Sequence, residues 1–200
     1  MAIKFQYNKI ELQRLNKQLQ IRERALPTLK NKESALRIEV KKAKQLSEDL
    51  TSQLNKQIEA YDKMMELWQE FKPDLISIKD VSFEIKKIAG IKVPVLDNID
   101  FEIAYFSVFN QPKWYLDGIA LLKELARIAI EKHFADIKTD LLDYARKKTT
   151  QKVNLFEKVQ IPGFQDAVRK IKRFLEDEDN LSKSAQKIVK NRQQQMEDVA

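Results

Sequence analysis

The chain has 200 residues, of which 34% are charged and only three are glycine, and this composition favours long helices over a thick globular core. The absence of cysteine excludes disulfides and thiolate metal sites, and a single histidine, His133, leaves little scope for imidazole chemistry. We therefore expect no redox or zinc-dependent function.

The net charge of +7 is a small excess of positive charge, and it is distributed along the chain. Basic and acidic residues number 14 and 10 over residues 1–70, 6 and 6 over 71–114, and 17 and 14 over 115–200. Because acids alternate with bases, solvated helix surfaces are favoured over a nucleic-acid-binding face. With no secretory signal and no run of 18 uncharged apolar residues, we expect a soluble, cytoplasmic protein without direct membrane insertion.

The first segment, residues 1–72, carries a heptad seam that predicts a long coiled-coil helix. Steps of three and four residues visit Leu12, Leu15, Leu19, Arg22, Leu26, Leu29, Glu33, Leu36, Val40, Ala43, Ser47, Leu50, Leu54, Gln57, Tyr61, Met64 and Trp68. Thirteen of these seventeen positions are apolar. Pro27 predicts a bend or short break near residues 25–28, either a hinge or a tolerated kink, and the helix should stop near Phe71 to Pro73.

The second segment, residues 73–112, predicts a β-hairpin insert. Apolar residues alternate at Ile76, Ile78, Val81, Phe83 and Ile85, and again at Val93, Val95, Ile99, Phe101 and Ile103. The turn falls near Ala89 to Ile91, and the two phase slips are candidate bulges. Since an isolated hairpin is marginal in water, its apolar face should dock on a helix or on a partner.

The third segment, residues 113–200, predicts a second long helix after Pro112. Its apolar stripe shows mainly spacings of four in the middle, which indicates a supercoil straighter than that of a pure heptad rod. Pro162 and Gly163 form a second weak point, and a break is expected near residues 176–182, where Asn180 or Ser182 would cap a final helix. Two amphipathic helices must cover one another, so the fold class is mainly α: a long antiparallel two-helix coiled coil with a small hairpin between the helices.

Few residues suggest chemistry. Three glycines cannot build a glycine-rich phosphate loop, and no cofactor or metal is expected. Trp68 and Trp114 flank the insert and should pack where the helices part. The densest basic patch contains Arg146, Lys147, Lys148 and Lys152, and it suits an acidic partner better than a nucleic acid because no aromatic residues are interleaved with it.

Three motifs, in order, resemble the D subunit of the V-type/A-type rotary ATPases. They are ELQRLNKQL at 11–19 leading to LKNKESAL at 29–36, AGIKVPV at 89–95, and QKVNLFEKVQIPGFQDAVRKIKRF at 151–174. The resemblance implies a non-catalytic rotor shaft of the central stalk, peripheral to the inner face of the cell membrane. Its implied partners are the A and B subunits of the catalytic head, the F subunit and a C/d-type coupling protein, and the nucleotide sites belong to the other subunits.

Partner contacts are expected within these motifs and in the basic patch. The candidate residues are Leu12, Leu15, Leu19, Gly90, Val93, Pro94, Arg146, Lys147, Lys148, Ile161, Pro162, Val168 and Ile171. The hairpin is expected to regulate or couple, and Pro27 and Gly163, which depart from the family pattern, are expected to soften the shaft. A free-standing coiled-coil scaffold or adaptor is the alternative, and a nucleic-acid-binding rod is the weakest one.

Overall fold

The computed structural model describes residues 3–61, 68–105 and 112–197. Two long helical stretches enclose a two-stranded antiparallel hairpin, which confirms the predicted fold class. In chain order the elements are helix α1 (Lys9–Tyr61), a 3-10 turn (Pro73–Leu75), strands β1 (Ile76–Ile88) and β2 (Ile91–Ile103), helix α2 (Tyr115–Leu155), a π turn (Phe156–Gln160) and helix α3 (Ile161–Glu197).

The chain divides into two compact units. Unit 1 contains residues 1–31 and 149–200, and unit 2 contains residues 32–148. Unit 1 therefore holds both chain ends, whereas the segments 1–72, 73–112 and 113–200 predicted from the sequence follow chain order.

The predicted seam of α1 is confirmed. Asn8 caps the helix, since its side-chain oxygen accepts a hydrogen bond of 2.6 Å from the backbone N–H of Glu11. None of the sixteen seam positions that the structure describes is exposed, and the seventeenth, Met64, lies outside the described residues. Leu15 and Leu36 are the most completely buried of them, at 1% and 0% exposure. The seam positions of α1 itself, from Leu12 to Tyr61, are therefore all turned at least partly away from solvent.

Three polar seam residues of α1 make hydrogen bonds to the opposite helical stretch. Arg22 donates to Gln160 in unit 1, and in unit 2 Ser47 donates to Asp136 while Gln57 donates to Glu124. In each unit, later residues of α1 meet earlier residues of the second stretch, so the helices run antiparallel. Polar residues satisfied at single seam positions fix register, because a shifted pairing would leave them unpaired.

Pro27 does not break α1. The helix is continuous from Lys9 to Tyr61, so the predicted break near residues 25–28 is wrong. The side chain of Pro27 is exposed, which places its ring on the face opposite the seam. On that face water can hydrogen-bond the carbonyl that the proline leaves without a donor, so the helix tolerates it.

The hairpin closes as predicted, through Ala89 and Gly90. Both have positive φ, at 49° and 81°, as a tight two-residue turn requires. Register shifts fall between Ile78 and Asp80 and between Ser82 and Phe83, so the bulged residues are Lys79 on β1 and Asp97 on β2. The phase slip at Lys79 and Asp80 is thus confirmed as a bulge, whereas the bulge at Asp97 falls where the apolar alternation keeps its phase.

Four aromatic rings pack where the hairpin joins the helices. The ring centroids of Trp68 and Trp114 lie 5.5 Å apart, and Phe71 and Tyr115 complete the group. Gly118 permits this packing, because a Cβ there would lie 3.0 Å from the Trp114 ring. The predicted packing role of the two tryptophans is confirmed.

The π turn absorbs one extra residue in the second helical stretch. The seam of unit 1 passes through Thr149, Phe156, Phe164 and Ile171, none of them exposed, at spacings of seven, eight and seven. The backbone N–H of Ile161 bonds the carbonyl of Phe156, five residues back. A wide turn of this kind inserts one residue while both flanking helices keep their apolar faces in line. The spacings of four, interpreted above as a straighter supercoil, lie before this turn, at residues 137–145.

The two remaining weak points of the sequence are also helical. Helix α3 runs without interruption from Ile161 to Glu197, so no break lies at 176–182 and neither Asn180 nor Ser182 is a helix cap. Pro162 and Gly163 lie in the first turn of α3, where a proline is tolerated because its N–H has no α-helical partner to lose. The predicted break at 176–182 is therefore wrong, and the weak point at Pro162 and Gly163 lies at the start of α3, directly after the π turn.

Candidate partner-binding surfaces

The core of unit 1 joins both ends of the chain. Leu15 of α1 packs against four buried residues of α3, namely Phe164, Ala167, Val168 and Ile171. Ile3 and Phe5 of the N-terminal segment pack on the same cluster, and a Cβ at Gly163 would lie 3.2 Å from Ile3. Gly163 therefore gives the N-terminal segment room to approach α3.

Arg22 ties α1 to the π turn. Its Nε donates a 2.7 Å hydrogen bond to Gln160, and its Nη1 donates to the carbonyl of Gln18 at 3.0 Å. The guanidinium carbon lies 4.4 Å from the ring centroid of Phe164 and 6.0 Å from that of Phe156. These ring contacts stabilise the guanidinium of Arg22 at a seam position, where an apolar residue would otherwise be expected.

A basic cluster lies on the outer face of α3 in unit 1. Because Val168 and Ile171 point into the core, Arg169, Lys170, Lys172 and Arg173 are held on the solvent side, and all four are exposed. Asp166 pairs with Arg169 and with Lys170, the latter at 3.1 Å, and hydrogen bonds from these two cations lower the pKa of Asp166. Within the described part of the chain, Lys172 and Arg173 have no acidic partner.

Beyond this cluster α3 continues as an exposed helical tail. All residues from Glu176 to Met196 are exposed, over roughly 30 Å of helix. Leu181, Ile188, Val189 and Met196 are 54–74% exposed, although apolar side chains on a helix normally pack against something. Within the described chain, these apolar side chains of the tail are left uncovered.

In unit 2 the closed end of the hairpin docks on the helices. Val93 is fully buried at 0% exposure in a cluster with Leu36, Val40, Ala43 and Leu142, and Ile88, Ala89 and Ile91 pack around it. The predicted docking of the hairpin on a helix is confirmed for this end.

The rest of the hairpin keeps apolar groups exposed. Ile78, Phe83 and Ile85 share one face of β1 once the bulge is counted, and they are 49%, 55% and 63% exposed. On the side of β2, an open cavity of about 360 Å³ lies between the strand and both helices, with Leu50 and Phe134 among its lining residues. Unit 2 thus offers an apolar surface next to its own core.

Nothing in the described residues suggests catalysis. They contain no group of three or more His, Cys, Asp or Glu residues placed to hold a metal ion, and His133 is exposed with its ring 6.5 Å from that of Phe134. Asp143 has a lowered pKa because Lys147 and Arg146 donate hydrogen bonds to it, which is a surface ion-pair arrangement. Among the described helices, none is long and apolar enough to cross a membrane.

Comparison with known proteins identifies the family of the chain. The family model for the D subunit of ATP synthase matches residues 11–191. The chain belongs to the ATP synthase D-subunit family. The match covers all three motifs on which the resemblance was based, so that interpretation is confirmed.

Individual relatives of this D subunit support the same assignment over nearly its full length. The V-type ATP synthase D subunit of Borreliella burgdorferi is 30% identical over 190 residues, which is 94% of each chain. Those of Chlamydia felis and Chlamydia caviae are 31% and 29% identical over 204 and 196 residues, covering 96% of this chain and 91% of each relative.

The structure places several predicted contact residues inside the D subunit itself. Leu15, Val93, Val168 and Ile171 are at most 8% exposed, and Leu12 and Leu19 pack against the unit 1 core. These side chains hold the chain together. Among the remaining candidates, Gly90, Lys147, Lys148 and Pro162 are exposed, while Pro94, Arg146 and Ile161 are partly buried.

The basic cluster of α3 was not predicted from the sequence. Residues 169–173 read RKIKR, a clear signal, but the charges were summed along the chain and not around the helix. Once the apolar positions of the heptad fix which side faces the core, the four cations fall on one outer surface. The same reasoning would have found the exposed apolar tail.

Proposed function

We propose that this D subunit is the non-catalytic rotor of a central stalk. In this role it transmits torque between ATP hydrolysis or synthesis in a catalytic head and proton or sodium transport in a membrane ring. The observation that carries the proposal, beside family membership, is the unexposed seam of the uninterrupted helix α1. A helix whose apolar face is packed throughout against a second helix resists twisting far better than a loop does.

We further propose that unit 1 enters the head, which the A and B subunits form. Unit 1 holds both chain ends, and its α3 tail exposes apolar residues that nothing in the described chain covers. A polar helix without packing is only marginally stable in water, so a surrounding protein would stabilise it. The F subunit and a C/d-type coupling protein complete the proposed partners.

The test is co-purification of the full chain with the A, B and F subunits, beside a variant that ends at Glu178. Because residues 179–196 are all exposed, we expect the free energy of unfolding to change by less than about 0.5 kcal/mol, while binding to the A and B subunits is lost. A truncated chain that still binds the head as well as the full chain does would refute this placement of unit 1. A full chain with no affinity for any of the three would support the free-standing scaffold.

The hairpin is proposed to regulate or couple through its exposed face. Replacing Ile78 and Ile85 by Thr keeps β propensity and removes apolar contact area from the partner, while Phe83, whose ring packs on Phe134, and the core around Val93 stay intact. We expect altered ATP turnover in the reconstituted complex with unchanged thermal stability of the isolated chain. Unchanged turnover at full assembly would count against this role.

A further inference from the structure

We propose that a basic groove of unit 1 binds an acidic loop of a partner protein. The groove lies between α1 and α3, and Arg169, Lys172 and Arg173 supply its positive charge. Leu19 and Val168 lie at its apolar floor. This inference depends on the proposed rotor function only for the identity of the partner.

Two cations of the groove, Lys172 and Arg173, are held in place and are free to bind, while Arg169 is paired with Asp166. Val168 and Ile171 anchor this stretch of helix in the core, at 8% and 0% exposure, so the basic side chains cannot turn inward. Lys172 and Arg173 have no carboxylate partner in the described chain, although Glu176 and Asp177 lie four residues further along the same helix. In a helix, an ion pair in which the basic residue precedes the acidic one by four positions is less favourable than the reverse order. The ammonium of Lys172 and the guanidinium of Arg173 are therefore available for a partner.

The shape and charge of the groove favour protein carboxylates over a nucleic acid. Residues 169–173 span only about 6 Å of the helix axis, whereas a duplex-binding surface contacts many phosphates along a longer track. The basic surface of the groove also ends in acidic residues, because Glu176 lines the groove and three further acids follow at 177–179. A continuing phosphate backbone would be repelled there, while a short loop with a few Asp or Glu side chains would fit.

The groove also offers more than point charges. A guanidinium can bind a carboxylate through two parallel hydrogen bonds, and the guanidinium of Arg173, unpaired within the described chain, can provide them. Asn16 and Gln165 line the groove as well, and their amides add neutral hydrogen-bonding groups. Residues of the loop that are not charged can thus be bound beside its carboxylates.

The experiment uses the full chain and a fluorescein-labelled twelve-residue peptide of alternating Asp and Glu, with duplex DNA and phosphatidylglycerol vesicles as competing probes. The test variant is Lys172→Glu with Arg173→Glu, and the matched control is Lys187→Glu with Lys190→Glu. Both variants change the net charge equally on the same helix, at exposed positions. A milder variant, Lys172→Gln with Arg173→Gln, serves if the first one alters the helical content.

We expect the peptide to bind the full chain, to bind the test variant at least tenfold more weakly, and to bind the control within about twofold, with affinity falling as salt rises. An equal loss in the control would show attraction to net charge only and would overturn the proposal. Absence of peptide binding, or tighter binding of DNA or vesicles through Lys172 and Arg173, would also overturn it. Peptide binding by a chain that fails to assemble with A and B subunits would sustain the groove and refute the rotor function.

Discussion

Removing one residue from the π turn should cost little, whereas removing one from α3 should cost much. Phe156 and Phe164 are eight residues apart on a seam whose other spacings are seven, so the turn holds one residue more than the heptad needs. Deleting Val159 restores the regular spacing and leaves both flanking faces in line. The deletion is made together with Pro162→Ala, because an α-helical turn in place of the π turn would put a proline in a helix interior, at about 3 kcal/mol.

The matched control deletes Lys170 in the same Pro162→Ala background. This removes an exposed residue from regular α-helix and rotates everything after it by about 100°. Lys172 then takes the place of the fully buried Ile171, and Glu176 takes that of Leu175. Loss of a buried Ile alone costs about 2–5 kcal/mol, before the burial of a charged group is counted.

The assay is urea unfolding followed by far-ultraviolet circular dichroism, with the Pro162→Ala chain as reference. Deletion of Val159 should change the free energy of unfolding by less than about 1 kcal/mol, because no buried side chain leaves its place. Deletion of Lys170 should lower it by at least about 3 kcal/mol. Equal losses in the two variants would refute the idea that the π turn is a one-residue insertion.

Three further predictions concern unit 2. Leu142→Ala should lower the free energy of unfolding by about 2–5 kcal/mol because Leu142 is fully buried, against less than about 1 kcal/mol for the half-exposed Leu116→Ala, both measured in urea. Gly90→Ala should lower it by about 1–2 kcal/mol through backbone strain alone, since a Cβ there meets nothing closer than the Lys32 ammonium at 3.8 Å; an unchanged melting temperature would contradict this. Asp143→Asn should destabilise at pH 7, with a loss that shrinks as the pH falls through the lowered folded-state pKa of Asp143, because the ion pairs stabilise only the ionised carboxylate; unfolding curves at pH 7 and pH 3 measure it.

Periodicity predicted the parts of the fold that depend on burial. The seam of α1 was found position by position, since the side chains that must leave water recur every 3.5 residues. The bulge at Lys79 was found for the same reason, because a slipped residue moves the apolar alternation to the other face of the strand, whereas the bulge at Asp97 leaves the spacing of Val95 and Ile99 even and was not located from the sequence. Features of this kind can be predicted from the order of apolar and polar residues alone.

The helix breaks were mispredicted because proline was judged without its surroundings. The cost of a proline depends on which face of the helix it occupies and on how far it lies from a helix start, and these follow from the packing of neighbouring residues. Pro27 lies on the exposed face of α1, and Pro162 lies in the first turn of α3, directly after the π turn. The residues 176–182 were assigned a break from local composition, although nothing in that stretch forbids helix.

The extra residue between Phe156 and Phe164 shows where sequence reasoning reaches its limit. An eight-residue spacing can be absorbed by a straighter supercoil spread over several turns, or by one wide turn at a single place. Apolar spacing is the same in both cases, so the choice depends on what favours a local wide turn. Here Pro162 has no N–H to lose in a first turn, and Arg22 bonds Gln160 while stacking on Phe164, so the turn has partners on both sides. Those partners come from the other helix, 138 residues away in the chain, and become visible only once the register of the pair is known.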